Sequence, residues 1–309
     1  MAIMPTHIDE IEPQPQSRQA GENREHIIGY RTFAPKNIMA LVFLGGMTIY
    51  FLTPLYWLAI AATKNNTDLF ASAGLWLAHF NLFTNLSELF THQNGVYGRW
   101  LLNTVLYAVV GGAISTFISV MAGYALAKYR FRGNGLVFSL VLGGALVPLT
   151  TLALPIYLAE SKYGIANSYW AVLLPSLLSP FGVFLARVYA IASIPDDLIA
   201  AARVDGAREL RIFWSVSLPI LLPGMVTIFL FQFAAIWNNF LLPLIVLNNP
   251  DYYPVNLGLA TWNFDPASHE IIYNLIVTGS LVAVVPLIVM FIILQRYWRT
   301  GLSFGSVTG

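Results

Sequence analysis

The chain has 309 residues, of which 57% are hydrophobic and 10% charged, and its mean hydropathy is +0.66; that leaves too little polar surface to cover a water-soluble globule. A formal net charge of +1, a pI near 7.9 and arginines spread along the chain exclude a nucleic-acid interface. The absence of cysteine excludes disulfides, thiolate metal sites and thiol nucleophiles.

The first 37 residues carry His7, Asp9, Glu10, Glu12 and several prolines without an apolar core, and are expected to form a disordered cytoplasmic tail. Six apolar stretches follow, each long enough for a hydrocarbon layer about 30 Å thick: 38–62, 100–127, 136–159, 169–189, 220–247 and 272–294. Their interiors hold no Asp or Glu, in keeping with a cost of about 3 kcal/mol for a charge at mid-bilayer. The first stretch begins too late and runs too long to be a cleaved signal. The predicted permease domain is therefore 38–299, with a short cytoplasmic tail at 300–309.

Positive charge sets the expected orientation. Arg18, Arg24, Arg31 and Lys36 precede the first span, Lys128, Arg130 and Arg132 follow the second, and Arg187, Arg203, Arg208 and Arg211 lie around the loop after the fourth. Arg296 and Arg299 follow the sixth, whereas the other side holds only Lys64, Arg99 and Lys162. The positive-inside rule places both termini and the loop at 193–219 in the cytoplasm. Asp68, Glu88, Glu160, Asp251, Asp265 and Glu270 fall in outer loops, the longest being 63–99. Pro54, Pro148, Pro155, Pro175, Pro180, Pro243 and Pro286 lie in or beside the spans and predict kinked, closely packed helices. Gly111, Gly112, Gly123, Gly143 and Gly144 supply small faces for close approach.

The cytoplasmic loop breaks the apolar pattern. Ser193 with Asp196 three residues on reads as a helix start, reinforced by Pro195 and Asp197. Leu198 to Ala202 is a short helical body with small side chains. Gly206 supplies a position for positive φ, and Ala207 to Val216 resumes a helical pattern with Leu210, Phe213 and Trp214 on one side. On periodicity alone, an amphipathic helix at the membrane surface is equally compatible.

The run Ala200-Ala201-Ala202-Arg203-Val204-Asp205-Gly206-Ala207, followed by Ile212-Phe213-Trp214 and Leu218-Pro219, resembles the EAA loop of ABC importer permeases. Agreement continues through Gly123 to Gly133, Leu154 to Leu158, Tyr163 to Ser168, Trp237 to Leu244 and Gln295 to Leu302, which are similar to the second permease of maltose-type carbohydrate importers. The resemblance implies a type I importer permease fold: six spans and a cytoplasmic coupling helix in a prokaryotic inner membrane. It implies a homologous second permease as heterodimer partner, two ATPase copies and an extracytoplasmic binding protein. Ala200, Ala201, Ala202, Asp205, Gly206, Ala207 and Phe213 would couple to the ATPase. The family's glutamate at the head of the motif is replaced by Ala200, and Asp196 and Asp197 lie about one turn too early to substitute.

Sugars are bound by aromatic faces, amides and hydroxyls without charge. Asn103, Tyr107, Gln232, Trp237, Asn238, Asn239 and Asn274, with Tyr273 beside the last, are the candidates for a polar, uncharged substrate path. Each serves equally well as an interhelical hydrogen bond or an interface anchor. No G-x-x-x-x-G-K-[ST] pattern occurs, and the five histidines show no metal-ligand spacing. The expectation is a chain with no catalytic residues and no bound cofactor or metal, ATP and Mg being held by the partner subunits. The function expected is alternating-access uptake of a carbohydrate. The competing readings are an importer permease for another solute, an ion-coupled secondary transporter and a membrane scaffold. A secondary transporter calls for carboxylates or histidines within the spans, and a scaffold has no use for the loop motif.

Overall fold

The computed structural model describes residues 35–264 and 272–302, with side chains at 38–263 and 272–297. The tail predicted at 1–37 lies almost wholly outside the described residues, as do Asp265, His269, Glu270 and positions 303–309. The chain divides into two compact units, Met1–Tyr50 and Phe51–Gly309. Within the first, the described residues are helical, and Met39, Val42, Phe43 and Ile49 are exposed.

All regular structure among the described residues is helical. Helix α1 (Pro35–Ala62) ends at a knot of polar side chains, α2 (Asn66–Ala71) is capped by Asn65, and α3 (Leu82–Thr91) occupies part of the long loop. Between α3 and α4 (Val96–Leu106) the backbone turns through Gln93, Asn94 and Gly95, all at positive φ (47, 60 and 76°). A π turn at Tyr107–Gly111 joins α4 to α5 (Gly112–Lys128) without a break. Val96 to Lys128 is thus one rod, about 50 Å long at 1.5 Å per residue.

The third expected span is not one helix. α6 (Asn134–Leu146) and α7 (Leu149–Lys162) meet at 100° across Val147 and Pro148. Pro148 has no N–H to continue the α6 ladder and disfavours helical geometry at Val147, which is extended (φ −75°, ψ 122°). Glu160, expected in a loop, is 6% exposed near the end of α7. In the fourth span α8 (Tyr169–Ser176) and α9 (Pro180–Ser193) are separated by Leu177 to Ser179, with Ser179 as N-cap and Pro180 as first helical residue.

The loop at 193–219 holds α10 (Asp196–Val204), α11 (Glu209–Ile212) and a π turn at Phe213–Ser217 that leads into α12 (Leu218–Trp237). The fifth expected span, 220–247, also stops early. Asn238, the C-cap of α12, folds its amide back onto the Ala234 carbonyl (2.8 Å), which also accepts its backbone N–H (3.1 Å), and a new helix α13 (Leu241–Val246) begins. α14 (Val255–Phe264) and α15 (Tyr273–Leu302) complete the chain. Among the described residues, five helical segments are long and apolar enough to cross a membrane, six if the bent α6–α7 pair is one span.

Three apolar clusters hold these helices. One gathers Tyr107, Val172, Phe233, Trp237, Val246 and Leu257, and another Leu89, Tyr97, Trp100, Trp262 and Leu275. The third joins α5, α9 and α12 to the loop through Val120, Tyr124, Ile194, Ile199, Ile212, Phe213 and Ile228. Here α5 and α9 touch backbone to backbone. A Cβ added at Gly123 would stand 2.5 Å from Ala186 Cβ and 2.6 Å from the Arg187 amide nitrogen. Gly is therefore required at 123 by close approach.

Candidate functional site

The loop after α9 is an elbow with one buried and one free face. Its helix begins later than the sequence pattern indicates: α9 continues through Ser193, and Pro195 is the N-cap of α10 with no side-chain cap bond. The Ser193 capping box is thus not formed. Asp196 instead accepts from Lys128 Nζ at 2.7 Å, and this hydrogen bond holds the Asp196 carboxyl below the usual carboxylate range. The C-terminus follows the expected chemistry closely. Gly206 sits at φ 79°, its N–H donates to the Arg203 carbonyl (3.0 Å), and the Ala207 N–H donates to the Ala202 carbonyl (3.0 Å). That pair of bonds is a Schellman close, with glycine at the left-handed position.

Ile199, Ile212 and Phe213 anchor the elbow in the apolar cluster, with Ala202 and Ala207 half-buried beside them. Ala200, Ala201, Arg203, Val204, Asp205 and Gly206 are exposed. Of the coupling residues expected from sequence, Phe213 therefore does not reach the free face. It is 5% exposed, its ring 5.2 Å from that of Tyr124. Leu210 and Trp214 do not share its side, being 72% and 54% exposed. Val204, 88% exposed, joins the free face although the motif gave no signal for it.

Charged and phenolic groups fasten the elbow to the end of α5. Lys128 Nζ also donates to the Ile194 carbonyl at 2.6 Å. The Tyr129 hydroxyl donates to Glu209 Oε2 at 2.9 Å, and Arg203 Nε donates to Glu209 Oε1 at 2.7 Å. Burial and the Glu209 contact raise the Tyr129 hydroxyl above its ordinary range, and Glu209 raises Arg203.

Inside the bundle the break between α8 and α9 gathers a buried cluster of polar side chains without charge. Ser179 Oγ accepts from the Gly182 N–H (2.9 Å) and from Gln232 Nε2 (2.6 Å). The Ser119 hydroxyl stands 2.7 Å from where a Gly182 Cβ would lie, and it is fully buried with no hydrogen-bond partner among the described residues. Gln232 was expected in a polar path. Ser119 and Ser179 were not, although Ser179-Pro180 is a recognisable helix-start dipeptide inside an apolar run.

Several of the other residues expected on that path have partners of their own. Asn103 Nδ2 donates to the carbonyls of Asp251 (2.8 Å) and Tyr253 (3.0 Å), while its Oδ1 accepts from the Tyr169 hydroxyl (3.2 Å). Tyr107 donates to the Tyr252 carbonyl (2.8 Å), Trp100 to that of Pro250 (3.0 Å), and Arg99 pairs with Asp251. These four α4 and π-turn side chains latch the segment 250–253. Trp237 is 2% exposed and stacks on Phe233, Asn238 caps α12, and Asn239 is half-buried beyond it. Asn274 bonds to Asn85 Oδ1 (3.1 Å) and, through its N–H, to Asn66 Oδ1 (2.9 Å). Asn85 in turn donates to the Ala62 and Lys64 carbonyls, both at 2.9 Å. Tyr273 is 41% exposed, edge-on to Phe70.

Replacing Asn103 by leucine leaves the Asp251 and Tyr253 carbonyls without their donor, a cost of about 1–3 kcal/mol. The expected result is faster proteolysis at 248–254 with little change in the rest of the chain, measured by mapping limited-proteolysis fragments.

Residues 115–302 match the family model described as binding-protein-dependent transport system inner membrane component. The chain is 36% identical, over 83% of its length and 91% of the relative's, to the arabinooligosaccharides transport system permease protein AraQ of Halalkalibacterium halodurans. It is 28% identical to the lactose transport system permease protein LacG of Rhizobium radiobacter, over 82% of this chain and 90% of that protein. Among solved structures, it superposes with a TM-score of 0.74 on a chain of a bacterial ABC transporter involved in the import of the acidic polysaccharide alginate. That match covers 87% of this chain and 98% of the other at 21% identity, and it speaks to the fold.

Proposed function

This chain belongs to the family of binding-protein-dependent transport system inner membrane components, and from that premise we propose that it is the transmembrane permease of an ATP-driven importer for a sugar or oligosaccharide. The observation that carries the substrate class is the buried cluster of Ser119, Ser179 and Gln232 at the α8–α9 break, rich in donors and acceptors and free of charge. Such groups, once uncovered as the helices move, suit hydroxylated, neutral solutes. A broken helix at mid-span is a favourable place for it, because its free backbone groups line protein and not lipid. The names of the relatives, which concern arabinooligosaccharides and lactose, agree with that chemistry.

The free face of α10 is the proposed docking surface for the ATPase. Ala200, Ala201, Asp205 and Gly206 let another protein approach closely, and Val204 offers it an apolar contact. The chain has no phosphate-binding loop sequence, so ATP and Mg belong to two partner ATPase copies. A second, homologous permease completes the pathway, and an extracytoplasmic binding protein delivers solute at the opposite end. Lys128, Arg130, Arg132, Arg187, Arg203, Arg208 and Arg211 gather at the elbow end, which supports its placement in the cytoplasm of a prokaryotic inner membrane.

The test is the reconstituted complex with its binding protein, assayed for uptake and ATP hydrolysis against a panel of neutral oligosaccharides and ionic solutes. Stimulation by a neutral oligosaccharide is expected. Gln232→Leu should weaken its transport about fivefold, the value of one hydrogen bond near 1 kcal/mol, with assembly unchanged. Stimulation by ionic solutes alone would sink the sugar reading.

A further inference from the structure

Both ends of the docking helix α10 are tied to two consecutive residues of another span. Lys128, the last residue of α5, has a side chain only 7% exposed. It inserts its ammonium between the Ile194 carbonyl, an orphan acceptor at the C-terminus of α9, and Asp196 in the first turn of α10. A cation at a helix C-terminus is well placed electrostatically. Tyr129 takes the other end: its hydroxyl meets Glu209, which holds Arg203 in the last turn of α10 by contacts of 2.7 and 3.2 Å. The two attachments thus bracket α10, about 13 Å long by its rise per residue.

Stability does not account for the Arg203–Glu209 half of this arrangement. Arg203 and Glu209 are each 46% exposed, and exposed ion pairs contribute roughly 0–1 kcal/mol. What the contacts supply is a fixed geometry between α10 and α5. Beyond Lys128 the helix continues without interruption through the π turn to Val96. At its far end Asn103, Tyr107 and Trp100 grip the segment 250–253.

We infer that Lys128 and Tyr129 form a two-point joint through which displacement of α10 drives the Val96–Lys128 rod, carrying the ATPase stroke to the 250–253 latch at the opposite end of the chain. Lys128, Tyr129, Arg203 and Glu209 are positioning residues for coupling, and the acids Asp196 and Glu209 serve the chain's own cations. The inference rests on the docking role proposed for α10.

The test uses the complete transport complex and reads solute moved per ATP hydrolysed, together with ATPase association. Tyr129→Phe removes a single oxygen. With it, association and hydrolysis should persist while solute moved per ATP falls at least fivefold. Glu209→Ala removes the acceptor of both Tyr129 and Arg203 and should lower the ratio at least as far, and the double variant should be no worse than Glu209→Ala alone, because Tyr129 reaches α10 only through Glu209. Lys128→Gln should uncouple from the other end and add to Tyr129→Phe. An unchanged ratio in Tyr129→Phe and Lys128→Gln overturns the joint. So does loss of association, which assigns these residues to docking itself, and so does a fall in uptake strictly proportional to hydrolysis. Should Glu209→Ala not be recovered from the membrane, Tyr129→Phe decides alone. Failure of the docking reading appears separately, as normal association and uptake when Gly206 is replaced.

Discussion

Gly206→Val is expected to lower ATPase association more than tenfold and to abolish solute uptake while leaving the chain inserted and helical. Two effects add at this position. The residue sits at φ 79°, where an L side chain costs about 1–2 kcal/mol and a β-branched one is a true outlier. No atom of the chain lies within 4 Å of the added Cβ, so the new methyl groups project into space that the proposed partner occupies. Gly206→Asn separates the two, because asparagine tolerates the left-handed region: it should keep the turn and lose less activity. Co-purification of the ATPase and uptake into proteoliposomes are the measurements. A valine variant that associates and transports normally would remove α10 from the docking surface.

Gly123→Leu should prevent recovery of folded chain altogether. The position has three neighbours inside 3 Å of a Cβ: Ala186 Cβ at 2.5 Å, the Arg187 nitrogen at 2.6 Å and the Val183 oxygen at 2.8 Å. Two of these are backbone atoms that no rotamer change can move. Even alanine overpacks here, at about 1–3 kcal/mol, and leucine must push α5 away from α9 at the point where the elbow is rooted. The control is Gly143→Ala, where nothing lies within 4 Å, and a small gain in helix propensity of up to about 1 kcal/mol is expected. Yield and thermal unfolding in detergent compare the two. Ala186→Gly should not rescue Gly123→Leu, since the backbone clashes persist.

Much of the architecture was legible because the bilayer imposes strong patterns. Apolar runs located the crossing segments, and Gly206 marked the elbow turn because a positive φ has a compositional signature. Prolines predicted kinks, Pro148 among them, but the size of the changes of direction was not legible. Hydropathy averages across Val147 and Pro148 as if across one span, although the helices there meet at 100°, and it runs past the Asn238–Asn239 break in the same way. The start of α10 was misplaced because Asp196 is drawn to Lys128, a partner 68 residues away. Local capping rules cannot see such a partner. The amides at 103 and 274 had the expected chemistry and depth, but their hydrogen bonds go to partners 148 and 189 residues distant. Ser119 and Ser179 were overlooked for the opposite reason: a serine in a span carries little information until the helix break and Gln232 are seen around it.

The uncharged cluster of Ser119, Ser179 and Gln232 has an electrical corollary. Residues 100–127, 169–186, 212–237 and 273–295 contain no Asp, Glu, Lys or Arg, and moving one elementary charge through 100 mV is worth about 2.3 kcal/mol. Among the formal charges of these helices, Lys128 in α5 and Arg187 in α9 stand toward the elbow end, so segments that shift around a neutral solute present little handle to the membrane potential. Depolarising the cell would then change the translocation step little, and the direction of flow through this subunit would be set chiefly by nucleotide chemistry.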